Sequence, residues 1–458
     1  MNDITAFFAF LKYCLGYKEN MSRVIAGMNW HELYSFASKQ ALLGLCFEGI
    51  ERLGKECSEE LRLNPIGREL LMNWMGKAQQ IRRQNMKVNA VAGKLFSMLR
   101  EDGMRCCVLK GQGNALMYSN PYSRTPGDID VWIDASRERI MEHAQKKFEL
   151  GDDIRLQHLE TSLDGVPVEL HFFPCSMNNP IYHARLQKWF RRNADLQCSH
   201  IVGLPDGAGD IAIPTTAFNV VYQLTHLYHH FFDEGIGMRQ IIDYFLVVND
   251  FSKNVFLNND LSNHPVNFSN HPVPLSKEGS TFSPSPSSSG SGDVTAPSRC
   301  SEPLRSKDGG PSKVSPDCAG WDRLAIEGDN SAGSTTVVTS SASTALDVVQ
   351  KELKHLGLWK FAGAVMYVLH ETLGLSEEKM IAPMDEKRGK LLLAEILNGG
   401  NFGQHFTKYG HFTQQGMAKK YFLKIWRNMH FVRYYPAEAL SEPIFRTLHF
   451  FWRLKHRR

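Results

Sequence analysis

Two aspartates separated by one residue, Asp128 and Asp130, lie in the run Arg124-Thr-Pro-Gly-Asp-Ile-Asp-Val-Trp-Ile133. On a β-strand their side chains project from one face, because side chains alternate, while Ile129, Val131 and Ile133 cover the other. Carboxylates that close repel, and one pKa rises unless a divalent cation lies between them. Oxygen-only ligands of this kind suit Mg²⁺ or Mn²⁺, not zinc or copper. A third acid, Glu169, shares a face with His171 on the run Val166-Pro-Val-Glu-Leu-His-Phe-Phe173. An acid in an apolar strand is costly unless a cation shares it. Lys110 and Arg124 flank the pair and can neutralise a triphosphate, Lys as a point charge and Arg as a bidentate fork. Gly111 ends the preceding strand and can present amide groups to a phosphate; Gly127 lets backbone approach closely.

Each signal has a plainer counterpart. Asp-x-Asp pairs are common as turn or cap acids, Lys110 and Arg124 read also as solvated surface charges, and His171 reads more readily as a hydrogen-bonded structural histidine than as a ligand. A second constellation lies in His226-Leu-Tyr-His-His230 with Asp233. Helical spacing puts His226, His230 and Asp233 on one stripe, which could take a transition metal, although no glutamate stands in an HExxH arrangement. The alternative is a polar helix face beside the active site. Asp243, four residues after Arg239, reads as its ion-pair partner.

The elements that must position these residues follow from periodicity. Residues 1–100 repeat apolar positions at three and four and read as helical. Residues 101–210 change texture: strands at 105–111, 128–133 and 166–173, with a helix capped by Asp134 or Ser136 running to about Leu150, form a small mixed sheet. Helix resumes over 211–250. Residues 251–345, rich in Ser, Pro and Gly and carrying Ser262-Asn-His-Pro-Val266 again at 269–273, read as a disordered insert. Residues 346–458 are again helical, and the helical blocks on either side of the insert are expected to pack together, since closure entropy grows slowly with loop length. The fold class is therefore α+β, a small sheet embedded in mostly helical flanks.

Composition narrows the function. Of 458 residues 43% are apolar and 22% charged, as in globular proteins, which sets aside collagen-like, wholly disordered and membrane-spanning chains. Lys plus Arg at 52 against Asp plus Glu at 48 is too even a balance for a global nucleic-acid binder, and the basic C-terminal run reads as a solvated end. Nine cysteines without CxxC pairs point to a reducing cytoplasm instead of a disulfide framework. The opening apolar stretch, interrupted by Lys12, reads as a helix and not as a signal peptide.

The run Lys-Gly, a helix-forming stretch, an Arg, then Gly-Asp-Ile-Asp and an apolar strand resembles the polymerase-beta superfamily of nucleotidyltransferases. Within it, the chain most resembles a poorly characterised bacterial nucleotidyltransferase family. Lys110, Gly111, Arg124, Asp128 and Asp130 match that family's motif residues, and Glu169 with His171 looks like its later acid-x-His strand. The likeness is firm over about residues 105–173 and extends to the His-rich helix and Asp243. It implies transfer of a nucleoside monophosphate from an NTP to an unidentified acceptor, with Asp128, Asp130 and Glu169 holding Mg²⁺ or Mn²⁺, and with His171, His226, His230 and Asp243 as auxiliary groups. A non-catalytic NTP-binding or interaction module on the same fold is the rival, and a hydrolase using His226, His230 and Asp233 the third reading.

Overall fold

The sheet is built so that its two faces do different things. Strands β1 (Cys106–Leu109), β2 (Ile129–Ile133), β3 (His158–Leu163) and β4 (Val166–His171) lie in the order β1-β2-β4-β3. β2 runs parallel to β4, and the outer pairs are antiparallel. Paired residues face the same way, so the register defines each face. One carries Cys106, Val108, Ile129, Val131, Ile133, Leu159, Val168 and Leu170 into a single apolar cluster. On the other, one rung reads Leu109, Asp130, Glu169, Glu160 and the next Cys107, Trp132, His171, His158. The site face thus shades from apolar at β1 to charged at β4 and β3.

The computed structural model describes residues 3–150, 155–260, 340–404 and 417–456. Ahead of the sheet come helices α1 (Asp3–Cys14), α2 (Met21–Ala26), α3 (Trp30–Lys39), α4 (Leu43–Glu56), α5 (Ser58–Leu63) and the long α6 (Arg68–Glu101). The second half of α6 buries Val88, Val91, Ala92, Leu95, Phe96 and Leu99 beneath the apolar sheet face, and α8 (Arg137–Lys147) adds Ile140 and Ala144. Between β1 and β2 stands the short α7 (Gly111–Ala115). The other face packs on α9 (Pro180–Ser199) and α10 (Thr216–Asp233), where Trp132, Trp189 and Phe218 stack, the last two at 4.5 Å between ring centres. A small hairpin, β5 (Ile201–Gly203) with β6 (Asp210–Ala212), lies between these helices in the chain.

After α11 (Met238–Asp260) the description resumes with α12 (Ser340–His355), α13 (Trp359–Leu373), α14 (Glu386–Gly399), α15 (Met417–Met429) and α16 (Pro436–His456). Residues on both sides of the insert enter one core: Phe231, Tyr244 and Val248 share it with Leu353, Phe361 and Val365, as expected for blocks meant to pack together. The expected insert is trimmed, because helix continues through Asp260 and restarts at Ser340; the rest of it, with the repeated Ser-Asn-His-Pro-Val, lies outside the described residues. The expectation of three strands also missed β3. Its turn, Asp164-Gly165, has both residues at positive φ (50° and 70°), the two-residue hairpin that Asp-Gly favours. The helix after β2 is capped by Ser136, whose hydroxyl accepts from the Arg139 amide, and ends at Lys147. No helix among the described residues is long and apolar enough to cross a membrane, and the seven described cysteines are free thiols.

At the far end of the chain α16 returns to the start of α9. The Glu438 carboxylate, 1% exposed, accepts the Asn178 amide at 2.6 Å and the Asn179 amide at 3.2 Å. Burial pushes this carboxyl from its ordinary 4.5 up to about 7, against those two hydrogen bonds, which lower it. The folded chain therefore keeps a proton that the unfolded chain loses first, and stability falls as pH rises from about 4.5 to about 7. Glu438→Gln removes that slope: in melts across pH 5 to 8, the variant's Tm should gain on the wild type as pH rises, and parallel curves would contradict this.

Candidate active site

β2 and β4 are parallel neighbours with Asp130 opposite Glu169, and Asp128 immediately precedes β2. Ligand oxygens of Asp128, Asp130 and Glu169 converge within 4.8 Å of one another. At that separation, two charges repel by about 3–4 kcal/mol at an effective dielectric constant of about 20, so the chain needs positive charge nearby. It supplies two cations. Lys110 Nζ lies 3.2 Å from Asp130 Oδ2, and His171 Nε2 lies 3.0 Å from Asp130 Oδ1 and 3.1 Å from Glu169 Oε2.

The titration of the trio follows from this layout. Burial opposes ionisation of Asp130, yet Lys110 and His171 hold its carboxyl well below the usual range. Glu169 is likewise lowered, against burial, by its bond to His171. Burial also works against a charge on His171, but the bonds from Asp130 and Glu169 raise it to about 9. Asp128, on the solvent side of the cleft, is less well offset: the Asp130 charge first, then burial and Glu169, outweigh Lys110 and push it up to about 6.

Lys110 sits where β1 ends, in a turn with positive φ at both Lys110 (50°) and Gly111 (38°). This left-handed turn explains the glycine. Gly127 has no such constraint; a Cβ there would meet only the Arg239 guanidinium at 3.9 Å, on the cleft side. The Lys110 ammonium can only donate, so His226 Nε2, 2.8 Å away, accepts from it, and His230 Nε2 lies 3.0 Å from the same nitrogen. Burial first, then the Lys110 charge, keeps His226 well below its ordinary value; His230 falls to about 3 through burial, His229 and Lys110. These neutral imidazoles hold Lys110 in place. The reading of this stripe as a polar helix face fits better than the transition-metal alternative, because Asp233 binds Lys424 at 2.7 Å and Arg446 at 2.9 Å. Among the described residues, the groups whose ligand atoms converge are Asp128–Asp130–Glu169 and His158–Glu169–His171.

Arg124 lines the cleft, but its fork is already engaged. It is 4% exposed and makes a bidentate pair with Asp243, Nε to Oδ1 at 2.9 Å and Nη2 to Oδ2 at 2.8 Å. Tyr118 donates to the same carboxylate at 2.8 Å. Asp243 thus pairs with Arg124 and not with the expected Arg239. Asn85 in the middle of α6 donates to the carbonyls of Tyr122 and Arg124, at 3.1 and 2.8 Å, and so ties the segment before Asp128 to the long helix. Sequence reasoning assigned Arg239 only to Asp243 and overlooked its place in the cleft. Its guanidinium lines the cavity, about 60 Å³, that also holds Lys110, Asp128 and Asp130, and it donates to the Thr125 carbonyl at 3.0 Å. Phe402, at φ 52°, lies 5.5 Å beneath it. No spacing rule links Phe402 or Arg239 to residues near 128, so only the packing of α11 and the 400–403 turn could reveal them.

A family model described as an uncharacterised nucleotidyltransferase matches residues 26–262, more than half of the chain. The chain belongs to that nucleotidyltransferase family. The match spans the carboxylate trio, Lys110, the Arg124–Asp243 pair and Arg239, whereas Phe402 comes from beyond it. No curated protein and no solved structure matches the chain.

Two outcomes follow for this family member. Arg124→Ala leaves Asp243 buried without its counter-charge and should cost about 3–5 kcal/mol in urea unfolding, a loss that Arg124→Met with Asp243→Leu largely recovers. Asp128→Asn removes repulsion at a partly solvated position and should stabilise the metal-free chain by about 1 kcal/mol or less, read as a higher Tm. A lower Tm would show that the Asp128 charge is already balanced.

Proposed function

We propose that the chain transfers a nucleoside monophosphate from an NTP to an acceptor, releasing pyrophosphate, and that Asp128, Asp130 and Glu169 hold Mg²⁺ or Mn²⁺ for this reaction. The observation that carries the reading is the convergence of those carboxylates within 4.8 Å, in a chain of a nucleotidyltransferase family. The donor set fits such an ion, being all oxygen, and the raised Asp128 marks negative charge still unbalanced. A bound divalent cation would supply Lewis-acid stabilisation of the attacking and leaving oxygens.

The remaining work falls to the chain itself. Lys110 spends hydrogen bonds on Asp130 and His226 and retains a third N–H for a phosphate oxygen. Arg239, whose guanidinium has five N–H groups, contributes the second phosphate cation, the role first expected of Arg124. His171 fixes Asp130 and Glu169 relative to each other, and the buried Arg124–Asp243 pair holds the loop that delivers Asp128. A cavity of about 60 Å³ suits a phosphate group and its ion, so the nucleoside rests on the open side of the cleft. The resemblance to the polymerase-beta superfamily, carried by the glycine turn, Asp128-Ile-Asp130 and Glu169, supports the same chemistry.

Incubation with each labelled NTP and a cell extract tests the reading. Asp128→Asn with Asp130→Asn should reduce label transfer by about a thousandfold or more, since each ligand supplies several kcal/mol. Arg239→Ala should raise the NTP KM about tenfold, while Arg124→Ala acts through stability. Transfer that survives in the double variant rejects the carboxylate site, and nucleotide binding without turnover favours the NTP-binding module.

A further inference from the structure

The polar ladder on the site face extends past the trio. On the edge strand β3, His158 stands directly across from His171, and its Nδ1 lies 3.3 Å from Glu169 Oε2, the oxygen that also meets His171 Nε2 at 3.1 Å. His158 is 8% exposed, and neither of its ring nitrogens has a hydrogen-bond partner. A buried imidazole with both nitrogens unsatisfied is costly, and side chains left in that state mark an absent partner. Ligand atoms of His158, Glu169 and His171 converge within 4.8 Å.

We infer that His158, Glu169 and His171 form a second metal site, distinct from the carboxylate trio and selective for a borderline transition ion such as Zn²⁺. The donor set differs in kind from its neighbour: two imidazoles and one carboxylate suit zinc, whereas three carboxylates suit Mg²⁺. The spacing agrees as well. Ligands at about 2.0–2.1 Å from a tetrahedral ion stand about 3.3 Å apart, and two edges of this triangle already measure 3.1 and 3.3 Å.

The groups behind the ligands are of the kind that orient metal-bound histidines. Glu160 Oε1 lies 3.8 Å from His158 Nε2 and is itself held by Arg155 at 2.7 Å. A carboxylate on that side suits the Nε2–H of a His158 that binds metal through Nδ1. Three protein ligands leave the fourth tetrahedral position to water or to Asp130, whose Oδ1 is 3.0 Å from His171 Nε2. Glu169 belongs to both sets, so an ion on the histidine side withdraws a ligand from the carboxylate side.

The test is titration of the untagged, chelator-treated full chain with Co²⁺ and then Zn²⁺, following the cobalt d–d absorption and its bleaching. One ion per chain should bind without thiolate-to-cobalt charge transfer, although the chain has nine cysteines. His158→Ala and His158→Gln should each weaken binding about a hundredfold or more, while Asp128→Asn leaves it unchanged. X-ray absorption on the zinc-loaded wild type, which needs no variant to fold, should count two imidazoles and no sulfur. Absent binding, sulfur ligands, fewer than two imidazoles, retention in both His158 variants, or equal loss in Asp128→Asn would overturn the site. None of these readouts requires the nucleotidyl-transfer reading to hold.

Discussion

Everything at the site face depends on keeping three carboxylates together. The parallel pairing of β2 with β4 sets Asp130 opposite Glu169, and the alternation of side chains brings Asp128 to the same side. Repulsion of several kcal/mol would open this arrangement if the backbone were free or the charges unopposed. Neither condition holds. The register is locked by the reverse face, where Ile129, Val131, Val168 and Leu170 are fully buried and a one-residue slip would bring the carboxylates into the core. Lys110 and His171 supply opposing charge on two sides, leaving Asp128 as the member whose repulsion is least offset.

The scaffold around the trio is polar where rigidity is needed and apolar elsewhere. Asn85 reaches from α6 to two consecutive stretches of carbonyl, Arg124 and Asp243 close a buried pair, and Asn114 and Gln223 exchange hydrogen bonds between α7 and α10 at 3.0 and 2.7 Å. Each lies within or just behind the cleft. Hydrogen bonds between buried groups hold side chains in one arrangement, and a lost partner is expensive. The stacked aromatics Trp132, Trp189 and Phe218 hold the same sheet face to α9 and α10 without directional bonds. The result is a cleft with Asp128 on its open side and a buried polar base beneath it.

Asp128 and Asp130 were legible as a pair because strand alternation is a local rule, Glu169 as an acid interrupting an apolar strand, and Lys110 with Gly111 because a glycine turn after an apolar run is equally local; that Glu169 meets the pair rests on the β2–β4 pairing. Helical flanks were legible from apolar spacing, and β3 was readable from Asp164-Gly165 though it went unrecognised. Arg124 shows the limit of such reading. An arginine four residues before Asp128 looks like a phosphate ligand by proximity in the chain, but its partner, Asp243, is 119 residues away. His226 and His230 were placed on one stripe correctly, whereas the removal of Asp233 by Lys424 and Arg446 depends on helices near the C-terminus.

Sequence by itself determined the α+β class, the identity of the carboxylates and the strands that carry them, because those follow from periods of two and 3.6 along a local stretch of chain. Tertiary structure alone decided which group meets which: Arg124 on Asp243, Arg239 beside it in the cleft on the Thr125 carbonyl, His158 beside Glu169, Phe402 under Arg239. Electrostatic and hydrogen-bond partners are chosen by distance in space. Until helices and strands have packed, that distance is independent of separation along the chain.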